Sequence, residues 1–335
     1  MIVCADCGSQ VGEGINACPQ CHRLVHQEKL KELAVRASSA GEGGRLTEEI
    51  TLWREALELL PEGSKQAGVV TAKIATLRDR IDAGETDRPA ESAGPGRRPG
   101  MASGLGLIGV LAWKFKFAFV FFVTKAKFLF AGLSNLPTLL SMLVYMQRDW
   151  NEFGWKFGLG FVLSIYLHEM GHVAAITRYG MQASAPMFIP GLGALIRLSS
   201  RPVDPIEDSA IGLAGPKWGL GTAVACWLTA LATGSGLFGA IARAGALINL
   251  FNLIPLGPLD GGRGFNALSF PQRLLVVLTC FASIPFTEQR MAALVGCVGV
   301  YRLISDRGHP GGSWRRCAEF LGLVVALTAL VEGAR

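Results

Sequence analysis

The chain has 335 residues, of which 50% are hydrophobic and only 17% charged, against about 25% charged in soluble domains. Residues 1–100 hold 13 Lys/Arg against 15 Asp/Glu, whereas residues 101–335 hold 19 against 11. This division reads as a water-facing region followed by a membrane region with basic flanks. It removes any need for a nucleic-acid partner, which the net-negative first part is also ill-suited to bind.

Residues 1–26 contain two Cys-x-x-Cys pairs, Cys4/Cys7 and Cys18/Cys21, ten residues apart. Two such pairs can close a tetrahedral thiolate shell around zinc, and Gly8 and Pro19 suit the tight turns this needs. The stretch resembles a zinc ribbon, so a structural zinc on Cys4, Cys7, Cys18 and Cys21 is expected. His22 and His26 then stand outside a shell that four cysteines complete. Met1 leads into this cluster without the basic and apolar segments of a secretory signal. With no such signal, a reducing cytosol is the expected setting of the cysteines rather than a disulfide framework.

From residue 45 to 82 the periodicity is helical: Leu46, Ile50, Trp53, Leu57 and Leu60, then Ile74, Leu77 and Ile81, recur at three- and four-residue spacing. Pro61-Glu62-Gly63-Ser64 breaks the run, which predicts a helical hairpin. It resembles a single tetratricopeptide unit, too little for a peptide-binding array; a spacer or a docking element for a protein partner is the alternative. Residues 83–104, rich in Gly, Pro, Ala and charge, read as a flexible linker.

Residues 105–335 form the expected membrane domain. A spanning helix needs about 20 mostly apolar residues. The candidates are 105–123, 128–146, 155–177, 206–233 and 237–255, with two or three more between 273 and 330. Lys114, Lys116, Lys125 and Lys127 alternate with aromatic residues, as in a helix lying at the membrane interface. The expected fold is therefore mainly α, a multi-pass helical membrane protein of about five to seven spans preceded by the ribbon and the hairpin.

Within 155–177 stands His168-Glu169-Met170-Gly171-His172. Histidines four apart on a helix project from one face and can grip one metal ion. Glu169 lies where a carboxylate can take a proton from a zinc-activated water. Polar groups of this kind are costly inside a bilayer and are rarely idle there. A catalytic zinc needs a third protein ligand and one open position. The best candidate is Asp260, at the end of the apolar stretch Asn252-Leu253-Ile254-Pro255-Leu256-Gly257-Pro258-Leu259-Asp260-Gly261-Gly262, where two prolines and three glycines open the backbone. One span, 206–233, separates the two motif-bearing helices, so both motifs are expected at one membrane face. Arg178, Arg197, Arg201, Arg263 and Arg273 flank that face and make it cytoplasmic. A cytosolic N-terminus then needs an odd number of spans before residue 151, which favours one span plus an interfacial helix in 105–146.

HEMGH together with NLIPLGPLDGG resembles the site-2 protease family of intramembrane zinc metalloproteases, over roughly residues 155–266. The resemblance implies His168, His172 and Asp260 as ligands of a catalytic zinc and Glu169 as the catalytic carboxylate. It implies Asn252 as a donor to the substrate carbonyl or its oxyanion, a sensible use of an amide. Gly215-Pro216-Lys217-Trp218-Gly219 resembles the family's Gly-rich turn, with Lys217 and Trp218 bulkier than its pattern; close helix packing through small residues is the first reading of it. Residues 184–198, too broken by Pro and Gly to span, resemble the family's membrane-embedded loop or β-hairpin, whose strand edge can hold an extended peptide. The expected activity is regulated intramembrane proteolysis of membrane-spanning protein substrates, in the cell membrane. The other readings are a catalytically silent membrane scaffold or zinc-binding regulator of the same fold, against which the intact Glu169 counts, and a metal transporter, against which the Asn252-to-Asp260 spacing counts.

Overall fold

The computed structural model describes residues 2–12, 14–87, 154–183, 187–189, 193–195, 200–257, 259–287, 290–306 and 308–334. The apolar stretches 105–123 and 128–146 and most of the expected linker lie outside the described residues. At the N-terminus, β1 (Ile2–Val3) pairs antiparallel with β2 (Gln10–Val11). Each Cys-x-x-Cys pair bends into a knuckle closed by a backbone bond, Gly8 N–H to the Cys4 carbonyl (2.9 Å) and His22 N–H to the Cys18 carbonyl (2.8 Å). Gly8 takes the left-handed conformation (φ 71°) and His22 the same one (φ 58°), a region where glycine is cheaper. The side-chain amide of Asn16 donates to the carbonyls of Glu58 and Leu60 and ties the knuckles to the helices that follow.

Those helices are α1 (Gln27–Glu42), α2 (Leu46–Glu58) and α3 (Lys65–Asp82). The last two are the expected hairpin, with Ser64 capping α3 by accepting from the Ala67 N–H (3.1 Å). The first was not anticipated: its buried face is Leu33, Ala37 and Ala40, at helical spacing but too alanine-rich to register as an apolar stripe. The three helices share one core, whose members include Leu33, Ile50, Trp53, Ile74 and Leu77. It continues into Ile176, Ala210 and Ile211 of the following helices and into Tyr179 and Met181 of the turn after the first of them.

α4 (Trp155–Arg178) carries the HEMGH motif and α5 (Pro205–Thr233) returns beside it. Between them, β3 (Met187–Ile189) and β4 (Gly193–Leu195) form an antiparallel hairpin with Phe188 opposite Ala194, the element expected in 184–198. α6 (Gly236–Asn252) packs on both helices. After it come the short α7 (Asp260–Asn266), α8 (Phe270–Ala282), a 3₁₀ turn (Ile284–Phe286), α9 (Met291–Ser305) and α10 (Trp314–Gly333). A second core joins Leu213 of α5, Leu250 of α6, Phe265 of α7, Val276 of α8 and Phe320 and Val324 of α10.

The fold is mainly helical. Of the expected spans, 155–177 is matched by α4, which among the described residues is the one helix long and apolar enough to cross a bilayer. α6 and α9 are apolar but have 17 and 15 residues, and α5 has 29 residues interrupted by Lys217 and four glycines.

The N-terminal helices are bolted to the helical body by buried charge. Arg54 of α2 pairs with Glu207 of α5 and donates to the Tyr179 carbonyl (2.6 Å). Arg78 of α3 pairs with Asp204 (2.5 Å), the residue that caps α5. Asp82 pairs with Arg316 of α10 and accepts from the Tyr179 hydroxyl (2.6 Å).

Candidate metal centre

His168 and His172, one helical turn apart on α4, turn the same edge of their rings toward α7, where Asp260 stands in the first turn. His168 Nε2 lies 3.0 Å from Asp260 Oδ2, His172 Nε2 lies 3.3 Å from Asp260 Oδ1, and the two Nε2 atoms are 3.2 Å apart. Tetrahedral N and O ligands of a zinc ion at about 2.0–2.1 Å stand about 3.3 Å from one another. The two rings face different oxygens of the Asp260 carboxylate, each at close to that separation, and the three side chains bring one donor atom apiece within 4.8 Å of one another. They are 3%, 6% and 9% exposed, so the centre is withdrawn from bulk water.

Both ring tautomers follow from fixed partners. His172 Nδ1 is 2.8 Å from the Ile211 carbonyl, which can only accept, so Nδ1 carries a proton and Nε2 is the nitrogen a metal would take. For His168 the partner is Asn249 Oδ1 at 2.8 Å. The Asn249 amide is oriented by its Nδ2, which donates to the Gly245 carbonyl (2.7 Å). Its oxygen must then face His168 Nδ1, and His168 Nε2 is also left free to bind metal. Hydrogen bonds of this kind fix a ligating histidine and raise its basicity.

The glycines of Gly215-Pro216-Lys217-Trp218-Gly219 make this packing feasible. A Cβ on Gly215 would stand 2.2 Å from His172 Nε2, and one on Gly219 would stand 2.1 Å from Asn249 Oδ1. The small-residue reading of the stretch is thus the structural one, with His168, His172 and Asn249 as the packed partners. Lys217 points elsewhere and pairs with Glu319 of α10 (2.8 Å). The glycines after Asp260 also act by closeness rather than by opening the backbone: a Cβ on Gly261 would lie 2.0 Å from the Leu253 carbonyl oxygen.

Glu169 is buried on α4 beside His168. Asn252, half-buried at the end of α6, brings its Nδ2 to 3.4 Å from His168 Nε2. The expected site residues His168, Glu169, His172, Asn252 and Asp260 are therefore gathered at one end of the α4/α6/α7 packing. Sequence reasoning missed Asn249, an amide three residues before Asn252 in the same apolar helix; its signal was the cost of placing an amide there.

At the N-terminus, Cys4, Cys7, Cys18 and Cys21 form a second group able to hold a metal ion. The Cys4–Cys21 and Cys7–Cys18 sulfurs are 3.7 and 3.6 Å apart, close to the roughly 3.75 Å between thiolates bound tetrahedrally to zinc at about 2.3 Å. The backbone N–H of Cys21, with the Ser9 hydroxyl and the Gln20 N–H, lowers the Cys18 thiol's pKa to about 6, toward the thiolate that binds metal. At Cys21 the Arg23 N–H is outweighed by desolvation and the neighbouring thiols, which push that thiol up to about 12.

No protein-family model matches the chain. A protein of Synechocystis sp. (strain ATCC 27184 / PCC 6803 / Kazusa) named "Putative zinc metalloprotease sll0528" is 29% identical over 162 residues, 45% of this chain and 42% of that protein. The chain thus matches less than half the length of this curated relative.

Proposed function

We propose that the chain is a zinc-dependent intramembrane endopeptidase of the site-2 protease kind, which crosses the bilayer several times and hydrolyses membrane-spanning protein substrates. The reading is carried by one observation: in a buried setting His168 and His172 bring their Nε2 atoms 3.2 Å apart, each within 3.0–3.3 Å of a different oxygen of the Asp260 carboxylate, with Glu169 beside them. The likeness to a Synechocystis protein described as a zinc metalloprotease supports the protease part. The membrane part is supported by α4, of membrane-spanning length and apolarity, and by large apolar side chains exposed on other helices. Leu231, Leu278 and Ile304 are 64%, 55% and 82% exposed, and a water-soluble monomer rarely leaves so much apolar surface bare.

A zinc ion on the three ligands would supply Lewis acidity and bring the pKa of a water molecule to about 7. Glu169 accepts a proton on its carboxylate and delivers it to the leaving amine. Asn252 Nδ2 donates to the oxygen of the scissile carbonyl, where negative charge develops. The β3–β4 edge holds the substrate extended by backbone pairing. The ribbon of residues 1–26 holds a second, structural zinc and, with the helical hairpin of 45–82, serves protein docking.

The docking of the N-terminal helices supports an orientation. A charged, water-facing unit is packed on the C-terminal end of α4 and the start of α5, within two turns of His172. This supports one aqueous face for the N-terminal region and the centre, which the flanking arginines make cytoplasmic.

The test is cleavage of a panel of single-span substrate helices by the purified full chain, with zinc counted per chain. Wild type is expected to hold two zinc ions and to cleave, and Glu169→Gln to hold two and not cleave. Equal cleavage by both proteins sinks the mechanism.

A further inference from the structure

The polar groups around the centre divide into those that face the reacting atoms and one that does not. Asn249 is fully buried, sits on α6 three residues before Asn252, and reaches His168 only on the side away from the ligand triangle. Every bond of its amide oxygen and nitrogen described here is spent on holding that ring: Oδ1 on His168 Nδ1 and Nδ2 on the Gly245 carbonyl. To get there it crosses the face of α5, at Gly219, where even a methyl group would collide with both amide atoms at 2.1 and 2.3 Å. Three helices thus meet at one hydrogen bond: α4 supplies the ligand, α6 the acceptor and α5 the gap.

We propose that Asn249 is the positioning residue for His168, fixing its tautomer and ring plane for metal binding, and that Gly219 is kept side-chain-free to let it do so. The proposal rests on the reading of His168, His172 and Asp260 as metal ligands. His172 needs no such side chain, because the Ile211 backbone carbonyl does the same work for it. The asymmetry has a consequence: the partner that holds His168 Nδ1 can be removed by a side-chain substitution, and the backbone carbonyl that holds His172 Nδ1 cannot.

The experiment uses the purified full chain in detergent and titrates bound zinc against a chelator. The ion lost in His168→Ala identifies the buried site's step in the titration. Asn249→Leu keeps the shape of the side chain and removes the acceptor; its buried zinc is expected to be held about 10–100-fold more weakly, the usual cost of losing such a partner. Asn249→Asp retains an acceptor oxygen and is expected to stay within about threefold of wild type. Gly219→Ala is expected to weaken the same step as Asn249→Leu does, and thermal unfolding of each variant checks that it is folded. Wild-type zinc affinity in Asn249→Leu overturns the proposal. Equal losses in Asn249→Asp and Asn249→Leu also overturn it, since packing rather than the acceptor would then matter. Wild-type affinity in Gly219→Ala overturns the role given to that glycine. If His168→Ala itself keeps both zinc ions, the ligand reading fails, which is a different result from wild-type affinity in Asn249→Leu alone.

Discussion

The two donor clusters of this chain solve opposite problems. The cysteine cluster draws four sulfurs from residues 4–21, two knuckles that bend around one point and use little but local backbone bonds. The histidine–aspartate cluster draws three donors from positions 92 residues apart, and their meeting depends on α4, α5, α6 and α7 crossing at close range. Four thiolates fill a tetrahedral metal and leave nothing for chemistry, while two imidazoles and a carboxylate leave one position for water. On the proposed reading donor number separates a structural from a catalytic role, whereas burial does not: Cys4 and Cys18 are as buried as His168, His172 and Asp260, and Cys7 is exposed.

The comparison breaks most completely if the buried cluster tolerates crowding. Gly215→Ala places a methyl group against both ligand nitrogens; loss of the buried zinc and of all cleavage is expected, with the cysteine-bound zinc still counted at one per chain. Next in size is the charge that joins the two regions. Arg54→Met leaves Glu207 buried without its partner, and chemical unfolding should show a loss of about 3–5 kcal/mol, partly regained by adding Glu207→Gln. A milder effect is expected from replacing Cys7 and Cys18 by serine. The zinc count should fall from two to one, while cleavage changes less than about threefold, as for sites that share no partners. Loss of the buried zinc in that variant would mean that the clusters are not independent. The smallest effect is expected at the α3 cap, where Ser64→Ala should cost about 1 kcal/mol and leave both zinc ions in place.

How much of this was legible in the sequence follows the same division. The Cys-x-x-Cys pairs and the His-Glu-x-x-His turn are short-range patterns whose spacing alone fixes their geometry. Asp260 was legible as an acidic residue closing an apolar stretch and through a resemblance, whereas its approach to the α4 histidines comes from helix packing that spacing alone does not give. α1 was missed because an alanine face carries little hydrophobic contrast. α7 was missed because three glycines in seven residues argue against a helix, whereas here they let it lie against the Leu253 carbonyl and Phe320. Asn249 could not be assigned from sequence, since its role exists only where three helices cross. The expected membrane spans were legible as apolar runs, but the helices formed by 206–233 and 237–255 are too interrupted or too short to meet the spanning criterion by themselves.

The most direct measurement identifies the bond that is cut. The full chain and a single-span substrate helix are reconstituted together in lipid vesicles, and the new termini are mapped by mass spectrometry for wild type and Glu169→Gln. The account predicts termini within the apolar segment of the substrate, toward the face that carries the N-terminal region, with wild type and none with Glu169→Gln. Cuts confined to the water-exposed parts of the substrate, or an equal yield from both proteins, would contradict it.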